Sequence, residues 1–259
     1  MRLGVLASGS RGNALTVEHD GIMIFIDAGL SGKLHTSRLV DSGFSGIHPQ
    51  ALFVSHEHSD HVKGAGVISR KWGIPVFATE GTLNASRHRL GKIQEIIVFP
   101  NGTSFDFGAY SISAFSVTHD AADPSGYVIE WDSGRLGIAT DLGQSSPLVK
   151  ESLSGCTALV LEFNHDEDML WEGNYPWSLK QRIASTTGHL SNQAAAELLG
   201  SVSHKNLEVC VLAHLSQENN LPSLAENALR KVAGESLKIL TGMQDMALPA
   251  LDLQGGRLH

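Results

Sequence analysis

Short apolar runs broken by Gly, Ser, Asp and His set the pattern of the first half of the chain. Leu3–Ala7, Leu15–His19 and Ile22–Asp27 are brief and β-branched residues recur in them, which predicts strands. His19-Asp20-Gly21 falls between the second and third, and an Asp-Gly pair accepts the positive φ of a tight hairpin. Ala51–Ser55 predicts a buried strand that runs directly into a histidine cluster. Further strands are expected over Pro75–Ala78, Ile96–Phe99, Tyr110–Val117, Tyr127–Trp131 and Leu136–Thr140. In the second half, Ala158–Phe163 and Glu208–His214 read as buried strands. Ala194, Ala195, Leu198, Leu199 and Val202 recur at helical spacing behind Ser191, a good N-cap, so a helix is expected over Ser191–Ser203. A second helix is expected over Pro222–Val232, with proline in its first turn. Strands and helices alternate in both halves and no repeat of fixed period stands out. One α/β domain over residues 1–259 is the expected organisation, with Gln254–His259 as a frayed tail.

Composition narrows the class. Hydrophobic residues make up 42% and charged residues 18%, which is enough to bury a core and excludes a disordered chain. A net charge of −8 excludes charge-driven nucleic-acid binding by the whole surface. It leaves room for a local groove, and bound divalent cations would invert the field at their own site. Cys156 and Cys210 both sit in apolar runs and read as buried free thiols, which suits a reducing compartment. The opening Met1–Ser10 lacks the long apolar region of a secretion signal, and no apolar run reaches the roughly 20 residues that span a bilayer. The expectation is a cytoplasmic protein with no membrane partner.

The strongest chemical signal is His56-Glu57-His58-Ser59-Asp60-His61. It follows a predicted strand and so lies on a strand-to-helix turn. His56 and His58, two apart in extended chain, point the same way. Asp60 and His61 follow as the chain bends and can face a second point. Imidazole nitrogen and carboxylate oxygen suit zinc, manganese or iron. Four side chains do not close two metal sites, and three later residues offer more. His119, Asp141 and His214 each follow an apolar strand, where sheet proteins commonly place chemistry.

These residues resemble the metallo-β-lactamase superfamily, whose motif is H-x-H-x-D-H followed by H, D and H at strand ends. All seven positions match in order, and the resemblance runs from about Ser8 to about Thr241. It implies an αββα sandwich, two packed mixed β-sheets with helices on the outer faces, and two divalent metal ions (Zn, Mn or Fe). By carry-over, His56, His58 and His119 bind the first metal, Asp60, His61 and His214 the second, and Asp141 bridges both. Aspartate at position 141, where true β-lactamases often carry cysteine, points away from β-lactam hydrolysis. Ser8-Gly9-Ser10-Arg11-Gly12-Asn13, Asp27-Ala28-Gly29 and Leu161-Glu162-Phe163-Asn164-His165-Asp166 are similar to motifs of the YycJ/WalJ-like branch. So are Tyr175–Arg182 and Gly188-His189-Leu190-Ser191-Asn192. That branch implies 5′-to-3′ exonuclease action on DNA. A wider similarity to RNase Z aligns Glu162 and His189 with a proton-donating pair, although this chain has no long arm of the kind that grips tRNA.

The chemistry implied is phosphodiester hydrolysis by a metal-bridging hydroxide, with the metals neutralising phosphate oxygens. Asp60 would orient the nucleophile, and His189, set by Glu162, would protonate the leaving 3′ oxygen. Glu162 and His189 also admit a plainer role, capping a helix or hydrogen-bonding a metal ligand. Ser8, Ser10 and Asn13 are candidate phosphate contacts or simply a tight turn, and His165 and Asp166 are further substrate-side candidates. Arg87-His88-Arg89 with Lys92 either tracks a nucleic-acid backbone or forms a solvated face. Two competing functions stay open. One is hydrolysis of a cyclic nucleotide phosphodiester or thioester, and the other is a non-catalytic metal-binding regulatory module.

Overall fold

A computed structural model describes residues 1–254; Gln254 is the one residue of the expected frayed tail that it includes. Two compact units emerge from the chain path. The first holds Met1–Ala114, Ala121–Ser125 and Gly242–Gln254, and the second Phe115–Asp120 and Gly126–Thr241.

In chain order the first unit opens with strands β1 (Arg2–Ala7), β2 (Ala14–His19) and β3 (Ile22–Ile26), then helix α1 (Gly32–Asp41) and β4 (Pro49–Phe53). Short helices α2 (Ser59–Val62) and α3 (Ala65–Trp72), strand β5 (Val76–Ala78), helix α4 (Glu80–Leu90), β6 (Ile96–Val98) and β7 (Ser104–Phe107) follow. Strand β8 (Tyr110–Ser116) leads into the second unit. There β9 (Ser125–Trp131), β10 (Gly134–Ala139), α5 (Pro147–Leu153), β11 (Ala158–Glu162), α6 (Glu167–Glu172) and α7 (Trp177–Ile183) precede α8 (Asn192–Val202). Strand β12 (Val209–Ala213), α9 (Pro222–Arg230) and β13 (Lys238–Thr241) complete it, and β14 (Leu251–Asp252) returns to the first unit.

Two mixed sheets of seven strands result, ordered β14-β1-β2-β3-β4-β5-β6 and β13-β12-β11-β10-β9-β8-β7. In the first, β14 through β3 pair antiparallel and β3 through β6 parallel. In the second, β10 through β13 pair parallel while β9 and β10 pair antiparallel. The central parallel strands β11 and β12 are buried along their whole length, as expected where connecting helices cover a sheet.

Local chemistry explains the boundaries. Asp20 and Gly21, at φ 51° and 77°, form the two-residue turn between β2 and β3 with His19 opposite Ile22. Ser191 caps α8 by accepting the Ala194 N–H, and Pro222 opens α9. Each unit has its own core. Leu6, Phe25, Leu52, Val54, Ile68 and Leu83 anchor the first, and Phe115, Val128, Leu159, Phe163, Leu199 and Leu212 the second. Cys156 and Cys210 are free and buried in the second core, and burial raises the pKa of both thiols. Among the described residues no helix is long and apolar enough to cross a membrane.

Candidate metal centre

In the first unit the chain leaves β4, passes through Ser55 and delivers His56, His58, Asp60 and His61 on the turn into α2. His58 is the N-cap of that helix and has extended backbone, while Asp60 and His61 lie within its single turn. The imidazoles of His56 and His61 lie 4.0 Å apart between ring centroids, and those of His56 and His58 4.7 Å apart. His56 and His61 are buried.

The orientation of His61 comes from a residue that sequence reasoning left without a role. Asp27 directly follows the apolar strand β3, and its Oδ2 accepts the Nδ1–H of His61 at 2.7 Å. The same carboxylate accepts the Ser55 N–H and the Ser55 hydroxyl, each at 2.8 Å. A carboxylate on Nδ1 fixes the tautomer and leaves Nε2 as the basic nitrogen, a recurring support for metal-binding histidines. Asn13 completes the group: its Nδ2 lies 3.1 Å from Asp60 Oδ2 and 3.0 Å from His61 Nε2. The signal for Asp27 was present in the sequence, since it is a polar residue ending an apolar strand, as are His119, Asp141 and His214.

The remaining candidates for this region divide. Asn13 Oδ1 accepts the Gly9 N–H and so closes the Ser8–Asn13 turn on itself. Ser8 is buried with its N–H on the Met243 carbonyl, and Ser10 is exposed on the same turn. Arg87, His88 and Arg89 are exposed in the last turn of α4, a favourable place for cations on helix-dipole grounds alone.

In the second unit Asp141, Glu162, His189 and His214 bring ligand atoms within 4.8 Å of one another. His214 Nδ1 lies 3.0 Å from Asp141 Oδ1, and His119 Nε2 lies 3.7 Å from the same oxygen. The His119 Nδ1 faces the Gly188 carbonyl at 3.1 Å, which turns its Nε2 toward the carboxylates. Burial outweighs the neighbouring Asp141 and holds the His119 pKa below its ordinary value, so the ring is neutral at neutral pH. Asp141 and His214 have φ of 59° and 54°, and Asp27 of the first unit 60°. Left-handed backbone at non-glycine residues is uncommon, and its concentration at the strand ends that carry these side chains fits a functional constraint.

Glu162 is fully buried. Its Oε2 accepts the N–H groups of Leu142 and Leu190 at 2.8 and 3.2 Å, and its Oε1 accepts the Nδ1–H of His189 at 2.8 Å. Burial lowers the His189 pKa, but the charge and hydrogen bond of Glu162 outweigh it and raise the group above its ordinary value. Two sequence-distant motifs meet here. His165 and Ser191 form a parallel bridge, Asn192 N–H donates to the His165 carbonyl, and Asn164 N–H to the Leu190 carbonyl. Asn164 also donates its side-chain N–H to the His214 carbonyl, fixing the end of β12. His165 is buried, its Nδ1 has no hydrogen-bond partner among the described residues, and burial lowers its pKa to about 4. Asp166 caps α6 by accepting the Met169 N–H.

The donor sets of both units suit a divalent cation. His61 and His119 each commit Nδ1 to an acceptor, beside carboxylates that neutralise charge.

The comparisons with known proteins agree with this geometry. The family model for the β-lactamase superfamily domain matches residues 23–215. The chain belongs to the metallo-β-lactamase superfamily. It is 40% identical to the exodeoxyribonuclease YycJ of Bacillus anthracis over 91% of this chain and 90% of that protein. It is 35% identical to the exodeoxyribonuclease WalJ of Streptococcus pneumoniae over 97% of this chain and 98% of that one. These similarities place it in the YycJ/WalJ branch and make it a metal-dependent hydrolase. The metallo-β-lactamase fold protein YhfI of Bacillus subtilis superposes with a TM-score of 0.75 at 13% identity, covering 95% of this chain and 98% of that one. The fold class is therefore the α/β metallo-β-lactamase fold.

Proposed function

We propose that this protein is a metal-dependent nuclease that degrades DNA as an exonuclease from the 5′ end. One observation carries the reading: the similarity to two proteins named exodeoxyribonucleases runs over nearly the whole chain rather than over one motif. The cytoplasm is the proposed compartment, and residues 1–259 are proposed to act as a single domain.

In this reading His56, His58 and His119 hold one divalent cation, Asp60, His61 and His214 a second, and Asp141 serves both. Bound cations of this kind neutralise phosphate oxygens and activate water at neutral pH. The protein supplies the rest. Asp60 orients the attacking group. Glu162 already takes three N–H donors, so it is better suited to holding His189 than to binding metal. His189, whose pKa that carboxylate raises, delivers a proton to the leaving 3′ oxygen. Ser8, Ser10 and Asn13 face the phosphate, and His165 and Asp166 contact the nucleotide.

End-labelled double-stranded DNA, single-stranded DNA and RNA, digested with added manganese or zinc beside His58→Ala, test the proposal. Metal-dependent shortening of DNA from the 5′ end, absent in the variant, supports it. Shortening from the 3′ end, or preference for RNA, overturns the substrate assignment. Metal-replete protein that cleaves no polymer points instead to a small phosphodiester or thioester.

A further inference from the structure

Beside His189 the second unit carries a cavity of about 290 Å³ whose walls include Gly143, His165, Glu167, Trp171, His189 and Ser191. Its size is that of a site for one small ligand rather than a duplex. Among the described residues no lysine or arginine lines it and Glu167 contributes a carboxylate, so a phosphate group is disfavoured as the occupant. Two further features describe what it would accept. His165 is 3% exposed and its Nδ1 has no hydrogen-bond partner among the described residues, and such buried polar atoms are uncommon without a reason. Trp171 is 41% exposed although it sits on α6 next to fully buried Leu170, and its ring meets that of Trp177, itself 63% exposed, at 5.4 Å. Lys180 Nζ donates to the Trp171 carbonyl at 2.7 Å and pins the backbone beneath the ring. A large indole left in solvent at the rim of a polar cavity is a stacking surface.

We propose that this cavity is a subsite for one unpaired nucleobase, stacked on Trp171 and hydrogen-bonded at its polar edge by His165. The proposal rests on the nuclease reading and specifies how that site takes its substrate. His189 stands in the cavity wall, so the base held there belongs to the nucleotide next to the proton donor. Ser191 does not read the base; its hydroxyl is committed to Glu167 Oε1 at 2.8 Å and to the α8 cap. A base can enter only when it is unpaired, so the end of a duplex must open before it is cut, and single strands are bound without that cost.

The test is fluorescence-anisotropy binding of labelled single-stranded decanucleotides to the metal-free protein. One oligonucleotide is intact, one has an abasic 5′-terminal residue and one an abasic 3′-terminal residue. The expected result is about a tenfold affinity loss for one of the two abasic strands, in keeping with base–aromatic stacking. Trp171→Ala should bind the intact and abasic strands alike, and Trp171→Phe should keep most of the difference. Equal affinity of the unaltered protein for all three strands overturns the subsite, and this comparison needs no variant to fold. If the metal-loaded protein still shortens DNA, only the subsite has failed. If no strand binds and no polymer is cut, the nuclease reading has failed with it.

Discussion

Asp27, at φ of 60°, accepts the Nδ1–H of His61 on Oδ2 at 2.7 Å and the Ser55 N–H on its other oxygen. The carboxylate therefore sets both the direction and the tautomer of one histidine of the HxHxDH turn. Removing it takes away the charged acceptor that fixes the His61 ring and its tautomer. Asp27→Ala should weaken divalent-metal binding by about 10–100-fold, the usual cost of losing such a partner. Asp27→Asn should fall between, because the amide retains shape and αL tolerance but holds Nδ1–H less firmly. Competition with a chromogenic chelator measures both, and unchanged affinity in Asp27→Ala would remove the orienting role.

The Glu162–His189 pair makes a different prediction, on turnover rather than metal. If His189 is the proton donor, His189→Ala should lower the turnover number by about 10²–10⁴-fold with metal content intact. Glu162→Gln keeps the shape but removes the charge that holds His189 above its ordinary pKa. Activity that requires protonated His189 is lost as pH rises through that pKa, so in Glu162→Gln the loss should begin at lower pH. A pH–rate profile whose alkaline limb does not move in the variant argues against the role.

Much of this was legible in the sequence because the fold puts polar residues within three positions of the ends of apolar strands. His119, Asp141 and His214 are visible for that reason alone. Helix α1 was not visible, because its buried face consists of Gly32, His35, Arg38 and Leu39 and so gives no apolar stripe. Arg38 lies there because its guanidinium donates to the carbonyls of Leu6 and Gln244, partners that no local pattern encodes. Strands β7 and β13 have no fully buried residue, and β14 is two residues long, too little for periodicity to show. The role of Asp27 depends on strand register, which brings residue 27 against residues 55 and 61.

Gly29 tests how tightly the first cluster is built. A Cβ at this position would lie 1.6 Å from the Asp60 carbonyl oxygen and 2.8 Å from the Asn13 nitrogen. Those two backbone atoms belong to one hydrogen bond of 2.7 Å, Asn13 N–H to Asp60 O. Since both neighbours are backbone, no side chain can swing aside. Gly29→Ala should therefore cost at least about 2 kcal/mol in chemical denaturation and displace Asp60 together with Asn13. A variant as stable as the parent with full metal affinity would show that the turn yields easily.

His35 offers a pH test well apart from the metal ligands. It is fully buried on α1, its ring meets Phe25 edge-on at 4.6 Å, and among the described residues neither nitrogen has a hydrogen-bond partner. Burial, with a smaller contribution from Lys71, lowers its pKa from 6.5 to about 4. In the unfolded chain the group takes up a proton as pH falls below about 6.5, while in the folded protein it stays neutral until about pH 4. The unfolded state thus binds more protons across that window, and stability falls with pH by an amount on the order of 3 kcal/mol when the window is crossed. Other acidic and imidazole groups add their own slopes, so the comparison must be with a variant that lacks only this one. His35→Leu has similar volume and nothing to protonate, and its unfolding free energy should decline less steeply between pH 6.5 and 4. Urea titrations at several pH values measure the two slopes, and parallel curves would mean that His35 is protonated, or reached by water, in the folded protein.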